Sequence, residues 1–381
     1  AQETFAYPDD FPPRTLQSID TYGSTRTDVL TTSVTTVGGP HKSTFVTGNS
    51  VTLNSGTVRY ILGAVNYEDT DGVSGNSVVI NGGTVSNLVA GASHILENGN
   101  TSVTNNRVEI GGGTMEDATG GEAASDVSGN ALASNNTVAI TGGAINDVVY
   151  GGSAYSYSGQ AEASNNTVII TGGTVAWDVS GGDAYSDSGQ AEAHNNTVRI
   201  GPGLPATVFD PDVWLFGGNA GTGSGTTVFT GNTLQIESAG LSVYGLSLFQ
   251  RFEFTLPATL TNGGRVLTVT DRTLLGTDAV MTVSAAPGFT VSPGDAFILI
   301  DGTGGTGSTF SGTVAAASQS GTIGGHHYSL AVESDTVVLR ILQPVQSRAT
   351  TTSVPVAGGG VLAALGLLLA GLAAVRLRRR C

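Results

Sequence analysis

The sequence contains one cysteine and one lysine, and only 12% of its residues are charged. The cysteine is the last residue, Cys381, so an intrachain disulfide framework and a thiolate metal cluster are both excluded. Thirty acidic residues against fifteen basic ones give a net charge of −15, which disfavours binding to nucleic-acid phosphates. The GxSxG, HExxH and Walker A motifs are also absent, which removes the enzyme classes that depend on them.

Glycine, in contrast, is abundant: it contributes 56 of the 381 residues, about twice its usual share. Because 39% of the residues are apolar, and Val, Ile and Thr recur in short alternating runs, we expect a folded chain and not a disordered one. The composition therefore predicts an all-β protein with glycine-rich turns.

A thirty-residue repeat determines the expected fold. Five segments recur at this constant spacing, with weaker copies that start at Asn49 and Asn232. The five are NSVVINGG (76–83), NRVEIGGG (106–113), NTVAITGG (136–143), NTVIITGG (166–173) and NTVRIGPG (196–203). No unit has enough apolar surface to fold alone, so the units must stack. We predict a β-solenoid over residues 46–235, a right-handed parallel β-helix, in which a repeat forms either one large coil or two small ones.

Each unit alternates its side chains between two faces and then turns at glycine. Val168 and Ile170 point to one face, whereas Thr167 and Ile169 point to the other. Paired glycines are expected at the corners, because a sharp turn between stacked strands needs a positive φ or a close backbone approach. The turn glycines assigned in this way are Gly142, Gly143, Gly151, Gly152, Gly172, Gly173, Gly181 and Gly182.

Asparagines recur at one corner of the units. Asn136, Asn166 and Asn196 occupy equivalent positions, where asparagine tolerates the left-handed conformation and its amide can hydrogen-bond to the same amide of the next coil. We interpret them as a structural asparagine ladder. The alternative is N-glycosylation at the Asn-Asn-Thr sequons, which requires a eukaryotic secretory host.

The pattern NNTVxITGGTVxxDVxGGxA resembles the passenger regions of bacterial autotransporter adhesins. The resemblance extends through residues 230–270 and covers about residues 46–342. It implies a β-helix that is displayed at the cell surface. Short apolar runs separated by glycine and proline turns predict that residues 236–342 form a β-rich capping region, and residues 1–45 are assigned to an N-terminal arm or cap.

An uncharged, mostly apolar segment of twenty residues, 356–375, is followed directly by RLRRR. This length spans the hydrocarbon core of a bilayer, and the positive-inside rule places the arginines in the cytoplasm. We therefore predict a linker at 343–355, a transmembrane helix at 356–375 and a basic cytoplasmic tail at 376–381. A buried helix in a soluble core is the alternative, and we expect any signal peptide to have been removed before Ala1.

The segment SVPVAGGGVLAALGLLLAGLAAVRLRRR, residues 353–380, resembles the bacterial PEP-CTERM, IPTL-CTERM and GlyGly-CTERM sorting domains. The resemblance implies a transient membrane anchor that a dedicated protease cuts before export to the surface. The residues assigned to sorting or anchoring are Pro355, Gly358, Gly359, Arg376, Arg378, Arg379 and Arg380. Cys381 is interpreted as an incidental terminal residue, with acylation as the alternative.

Few residues suggest chemistry. Repeated acidic residues could line one face of the coils: Asp117, Asp147, Asp178, Asp183 and Asp187. We interpret them as a solvated acidic face, with calcium binding as the alternative, for which Glu68, Asp69 and Asp71 form the densest local cluster. His326-His327 is interpreted as a surface pair. A set of aromatic residues could form an exposed ladder for sugar or protein contact, or could pack against the cap: Tyr155, Tyr157, Tyr185, Trp177 and Trp214.

We therefore predict a non-catalytic, secreted or surface-displayed bacterial protein with a structural or adhesin-like role. It is expected to be exported to the cell surface or the periplasmic face as a single-pass precursor with a cytoplasmic C-terminus. No catalytic, cofactor-binding or metal-binding residue is assigned, and calcium is the only cofactor considered. The expected partners are the membrane, a sorting protease and a host or matrix glycan or protein, but not nucleic acid. The alternative function is a carbohydrate-active β-helix enzyme, a polysaccharide lyase or hydrolase.

Overall fold

The computed structural model describes residues 27–30, 36–38, 47–67, 72–304 and 309–343. In this part of the chain almost all regular structure is β-strand, and the strands of the repeat region pair in parallel. The helical turns of the described residues are two short 3₁₀ segments, Ala206–Val208 and Ala316–Ser318. The prediction of an all-β parallel solenoid is confirmed.

Each thirty-residue repeat forms one coil of the solenoid. Val138 pairs with Val168, and Val168 pairs with Val198, so equivalent residues of successive repeats lie side by side on adjacent strands. Two small coils per repeat would instead pair residues about half a repeat apart. The structure therefore decides between the two arrangements that the spacing allowed, in favour of one large coil.

Three sheets run along the solenoid, and one coil illustrates all of them. Thr137–Ile145 and Val149–Tyr150 lie on the first and largest sheet, which we call sheet 1. Ser153–Ser156 then lies on sheet 2, and Ala161–Ser164 lies on sheet 3. The chain enters the next coil on sheet 1 again, so every coil adds one layer to each sheet.

The strands repeat this order along the described chain. Sheet 1 comprises Thr27–Leu30, Thr36–Gly38, Ser50–Leu53, Thr57–Val58, Tyr60–Leu62, Ser77–Ile80, Thr84–Ala90, Arg107–Ile110, Thr114–Thr119, Thr137–Ile145, Val149–Tyr150, Thr167–Val175, Val179–Ser180, Thr197–Ile200, Trp214–Phe216, Thr233–Ile236, Leu241–Leu256, Arg265–Ala285, Ala296–Asp301, Thr309–Ser311, Ser320–Ile323, His326–Glu333 and Thr336–Ile341. Sheet 2 comprises Val65–Asn66, Ser93–Asn98, Glu122–Ser128, Ser153–Ser156, Asp183–Ser186 and Asn219–Thr222. Sheet 3 comprises Val73–Ser74, Thr101–Thr104, Ala131–Ser134, Ala161–Ser164, Gln190–His194 and Thr226–Thr230.

Inward side chains form two main cores inside the coils. Behind sheet 1 the columns are built from large aliphatic residues such as Val168 and Ile170, both fully buried. Between sheets 2 and 3 the inward residues are mostly alanines, including Ala154, Ala161 and Ala163. Because interiors are close-packed, alanine columns indicate that these two sheets approach closely, so the coil is wide at one end and narrow at the other.

The asparagine ladder lies at the corner where sheet 3 leads into sheet 1. Oδ1 of Asn166 accepts hydrogen bonds from the backbone N–H of Asn136 at 2.9 Å and from its Nδ2 at 3.2 Å. Nδ2 of Asn166 also donates to the carbonyl oxygen of Ala133 at 2.9 Å. The same side-chain contacts connect Asn49, Asn76, Asn106, Asn136, Asn166, Asn196 and Asn232. Oε1 of Gln250 accepts from the backbone of Asn232 and ends the series.

The left-handed residue of this corner is the one before each ladder asparagine. Asn135 and Asn165 both have φ of 56° and are exposed, whereas Asn136 and Asn166 are buried and do not have a positive φ. The sequence prediction that one asparagine fulfils both roles is therefore wrong. The roles separate because the ladder amide must point inward while the turning residue faces solvent. Other coils carry a positive φ at the same position on Gly48, Gly75, Asn105, Asn195 and Gly231.

The turn glycines are constrained in two different ways. Gly143 and Gly173 have positive φ values of 81° and 75°, which favour glycine directly. A Cβ on Gly151 would lie 2.2 Å from the carbonyl oxygen of Gly181, and a Cβ on Gly152 would lie 2.6 Å from Oδ1 of Asn166. A similarly close approach constrains Gly142, Gly172, Gly181 and Gly182.

Parallel pairing extends beyond residues 46–235 in both directions. On the N-terminal side, Thr27–Leu30 pairs with Ser50–Leu53. On the C-terminal side, Leu241–Leu256 pairs in parallel with Arg265–Ala285, which in turn pairs with Ala296–Asp301. The segment 236–342 thus begins with further layers of the solenoid.

Antiparallel pairing appears at the C-terminal end of the described chain. Ala296–Asp301 pairs antiparallel with Thr336–Ile341, which pairs antiparallel with His326–Glu333. Ser320–Ile323 and His326–Glu333 form a hairpin. Thr336–Ile341 thus pairs along the edge of Ala296–Asp301, as a cap on an open sheet edge requires.

Several predictions concern residues outside the described part. They include residues 344–355 of the linker, the transmembrane helix at 356–375, the basic tail and the acidic cluster Glu68, Asp69 and Asp71. Among the residues that the structure describes, none forms a helix of the length and hydropathy needed to span a bilayer.

Candidate functional site

Outward side chains are unusually well covered where the second half of sheet 1 meets sheet 2. Ala90, Thr119 and Ser180 point away from the core, yet their exposed fractions are 0%, 4% and 0%. This burial indicates that the outer faces of the two sheets form a concave junction along the solenoid. We call it the groove. It is defined by Leu62, Ala90, Thr119, Tyr150, Ser180 and Phe216 on sheet 1 and by Val65, Ser93, Glu122, Ser153, Asp183 and Asn219 on sheet 2.

Side chains from the two walls interact across the groove at several levels. Near its N-terminal end, Leu62 and Ala90 of sheet 1 form a small hydrophobic cluster with Val65 of sheet 2, separate from the two main cores. Further along, the carboxylate of Asp117 on sheet 1 lies close enough to Glu122 on sheet 2 for its charge to raise the pKa of Glu122. The walls therefore face one another and do not splay apart.

The middle of the groove is acidic, and burial changes how its carboxyl groups ionise. Burial, together with the charge of Asp147, raises the pKa of Asp117 to about 6. Burial is also the main cause that raises the pKa of Glu122 to about 7 and that of Asp183 to about 6. At a pH between its ordinary pKa and its raised pKa, each of the three carboxyl groups is protonated in the folded chain.

Each of these carboxyl groups has a hydrogen-bond donor beside it. Ser93 Oγ donates to Glu122 at 3.2 Å, the backbone N–H of Val148 donates to Asp117 at 3.4 Å, and Asn219 Nδ2 donates to Asp183 at 2.8 Å. These donors come from the neighbouring coils, so the stacking of the solenoid positions the acids. Each of the three bonds uses a single carboxylate oxygen.

Tyr150 lies among the acidic residues. Burial is the main cause that raises the pKa of its hydroxyl well above the ordinary value, and the charges of Asp183 and Asp178 act in the same direction. The hydroxyl therefore stays protonated at physiological pH and remains a hydrogen-bond donor. Carboxylate acceptors and a phenol donor are the groups that recognise hydroxyls and amines of a ligand.

The C-terminal part of the groove is aromatic. Trp214 stacks on Phe216 with ring centroids 5.4 Å apart and an interplanar angle of 4°, and Tyr244 packs edge-on against Trp214. Gly245 leaves room for the indole, because a Cβ there would lie 2.1 Å from the ring. In register, Ser180 lies between Tyr150 and Phe216, so a small polar residue separates two partly exposed rings.

The predicted aromatic ladder exists for one pair only. Tyr155 and Tyr185 stack on adjacent strands of sheet 2, 6.0 Å apart and parallel within 1°, and Tyr155 donates its hydroxyl proton to Asp187 at 2.9 Å. Tyr157 and Trp177 lie in connecting segments and are about half exposed. The structure thus separates the five aromatics that the repeat suggested as one set.

The predicted acidic residues are also divided between locations. Asp117, Asp147, Asp178 and Asp183 are gathered around Tyr150, whereas Asp187 accepts from Tyr155 beside them on sheet 2. Their predicted role as a wholly solvated face does not describe Asp117 and Asp183, which are partly buried. His326 and His327 lie on the antiparallel hairpin, with His327 exposed.

A second concavity of about 460 Å³ lies in the C-terminal antiparallel region. Its charged lining residues are paired with one another: Arg265 with Asp301, and Arg340 with Glu333. These four charges therefore already satisfy each other.

Sequence reasoning missed Glu122, Tyr150 and Phe216 as site residues. They occupy different repeats and different offsets, and no motif joins them. One signal was present: small residues stand at the outward positions Ala90 and Ser180, where an ordinary solvent face would carry larger polar side chains.

The fold and groove together define the chain as a parallel β-solenoid with an acidic and aromatic groove along one side. Comparison with protein-family models, with curated proteins and with solved structures finds no match to this chain.

Proposed function

We propose that this protein is a surface-displayed, adhesin-like bacterial protein and that its groove binds a glycan. The observation that carries the proposal is the sequence of groups along one wall: the hydroxyl donor of Tyr150, then Ser180, then the stacked rings of Phe216 and Trp214. Aromatic faces pack against the apolar faces of sugar rings, while carboxylates accept hydrogen bonds from sugar hydroxyls.

The charge of the groove selects among glycans. Asp178 and Asp183 stand beside Tyr150, and the chain as a whole carries −15. A glycan of uronic acids would place its carboxylates next to these groups and be repelled. We therefore infer a neutral or amino-sugar glycan, held in an extended form along successive coils.

We infer display at the surface from the C-terminal sequence. The apolar segment 356–375 with its arginine tail is the proposed membrane anchor and sorting signal, which a sorting protease would cut. We also propose that the solenoid is right-handed and that it is related to autotransporter passengers. A rigid stack of coils suits this role, because it holds a binding face away from the membrane.

Tryptophan fluorescence tests the glycan proposal directly, since the sequence has only two tryptophans. In a Trp177→Phe variant, Trp214 is the only indole and reports on the groove. Neutral cello-oligosaccharides or glucosamine oligomers are expected to change its emission in a saturable way, whereas oligogalacturonate is expected to leave it unchanged. The Trp214→Phe variant, which retains Trp177, is the matched control and should show no change.

Two results would contradict this proposal. Preferential binding of oligogalacturonate would overturn the charge argument. Absence of any response across neutral, basic and acidic glycans would remove the glycan as ligand and leave a protein partner for the displayed solenoid.

One observation favours a second candidate, a glycoside hydrolase. Asp117, Glu122 and Asp183 have raised pKa values, as a general acid requires. Asp147 and Asp178 lie beside them around Tyr150, so a second carboxyl group is close at hand. Release of reducing ends from a neutral glycan at pH 5–6, abolished in Asp117→Asn or Glu122→Gln, would favour the hydrolase over the adhesin. Binding without release would favour the adhesin.

A further inference from the structure

A second group of chemically distinct side chains lies on the outer face of sheet 3, away from the groove. The parallel register pairs Glu162 with Glu192 and Ser164 with His194 on adjacent strands. Glu192 and His194 are two residues apart and therefore share a face with Glu162. Stacking of the coils thus brings two carboxylates and one imidazole to a single point.

The ligand atoms of these three side chains lie within 4.8 Å of one another. Nε2 of His194 is 3.3 Å from Oε1 of Glu162 and 3.8 Å from Oε2 of Glu192. The three side chains are between one fifth and one third exposed, so an ion from solvent can reach them while water is partly excluded. Small movements of the carboxylates would bring all three atoms to about 2 Å from a common centre, the distance that zinc requires.

Neighbouring groups hold two of the three ligands. Ser164 Oγ donates to Oε1 of Glu162 at 2.8 Å. Nδ2 of Asn195 lies 3.1 Å from Nδ1 of His194, so its side-chain amide borders the other ring nitrogen. With the side-chain amide of Asn195 turned over, its Oδ1 would accept a hydrogen bond from the Nδ1–H of His194. Nε2 would then be left without a proton and free to bind a metal, as in other metal-binding histidines with a supporting group.

Comparison of the coils shows that this arrangement is local. The segments SGQAEASNNTV (158–168) and SGQAEAHNNTV (188–198) differ only at Ser164 and His194. On the strands that flank the pair, Leu132 and Val228 stand where the two glutamates stand here. The single difference between two otherwise identical segments therefore supplies the third ligand where two carboxylates already stack.

We propose that Glu162, Glu192 and His194 bind a divalent transition-metal ion, with Zn²⁺ the best match. An imidazole nitrogen with two carboxylate oxygens suits zinc, whereas calcium prefers oxygen ligands alone. The cation offsets the repulsion between two glutamates on adjacent strands. It also connects successive coils, so metal binding stabilises the solenoid at this point. This site differs from the sequence expectation, which assigned no metal ligand.

The test is calorimetric titration of Zn²⁺ into the full chain and its variants. His194→Ser is the decisive variant, because it recreates the segment that the preceding coil already carries and should leave the metal-free melting temperature unchanged. We expect its Zn²⁺ affinity at this site to fall at least about tenfold, with Glu162→Gln showing a similar loss. Zn²⁺ should raise the melting temperature of the parent protein and not that of His194→Ser.

His327→Ser is the matched control, since it removes an exposed histidine on the distant hairpin. Its Zn²⁺ affinity at the sheet 3 site should equal that of the parent. Equal Zn²⁺ binding by the parent and by His194→Ser, or no Zn²⁺ binding by the parent, would overturn the proposal. Loss of a site in His327→Ser alone would also overturn it.

Discussion

Oδ1 of Asn166 accepts two hydrogen bonds from Asn136, one from its backbone N–H at 2.9 Å and one from its side-chain Nδ2 at 3.2 Å. Because each ladder asparagine is both acceptor and donor, every coil satisfies a buried backbone group of the coil before it. The ladder is therefore a stabilising element of the fold, and substitution of its residues should be costly.

The same substitution at two adjacent positions should have opposite outcomes. Asn166→Gly removes the acceptor for the buried N–H of Asn136, which should cost about 1–3 kcal/mol for that unsatisfied group and more for the lost side-chain bonds. Asn165→Gly keeps a residue that adopts positive φ easily, so stability should change by only a few tenths of a kcal/mol. Chemical denaturation of both variants provides the comparison, and equal stabilities would contradict the separation of roles.

Gly151 and Gly111 differ in how closely other atoms approach the position of a Cβ. In Gly151→Ala the new Cβ would lie 2.2 Å from the carbonyl oxygen of Gly181, so the backbone must shift and the melting temperature should fall clearly. In Gly111→Ala the nearest atom is 3.6 Å away, which is ordinary contact, so stability should be almost unchanged. Equal melting temperatures for the two variants would show that the corner at Gly151 has room for a side chain.

The alanine core between sheets 2 and 3 should not accept a larger residue. Ala163→Val adds volume at a fully buried inward position and should cost about 1–3 kcal/mol through overpacking. The control is Ala139→Val, since Ala139 faces outward and its register neighbour on the next coil is Ile169. Urea unfolding should place the control close to the parent. An Ala163→Val variant as stable as the control would show that the narrow part of the coil is not close-packed.

Stability should depend on pH through the acids of the groove. Glu122, with its pKa raised to about 7, holds its proton more tightly in the folded than in the unfolded chain. Its contribution is therefore present at acidic pH and is lost as pH rises from about 4.5 to 7. Glu122→Gln should melt higher than the parent at pH 7.5, with a smaller difference at pH 4.5.

Glu253→Gln is the control for the loss of one negative charge, because Glu253 is exposed on another face of the solenoid. The difference in melting temperature between Glu253→Gln and the parent should be about the same at pH 7.5 and at pH 4.5. The difference in melting temperature between Glu122→Gln and the parent should be larger at pH 7.5 than at pH 4.5. A smaller difference at pH 7.5 would contradict the conclusion that burial raises the pKa of Glu122.

The solenoid could be predicted because the spacing of the repeat determines the register of its strands. Asn136, Asn166 and Asn196 are thirty residues apart, and in-register stacking follows from that interval alone. The size of the coil could not be derived, since alternation is the same in one large coil or two small ones. The pairing of Val138 with Val168 was needed to decide it.

The groove could not be predicted from the sequence, and the reason is geometric. It depends on the angle between sheets 1 and 2, and no residue period encodes that angle. Tyr150 and Asp183 belong to different coils and meet only across the junction. The metal-binding group has the same origin: the substitution of His194 for Ser164 was visible, but its significance depends on the position of Glu162 one strand away.

If the groove is the ligand-binding face, Asp183→Asn should bind a glucosamine oligomer more weakly than the parent does. The substitution preserves shape and an acceptor for Asn219, but removes one charge beside Tyr150. At pH 7.5 we expect binding at least about tenfold weaker than for the parent, as for a hydrogen bond to a charged group, with Glu253→Gln unchanged. Equal affinities for the parent and for Asp183→Asn would show that the groove is not the face that binds this glycan.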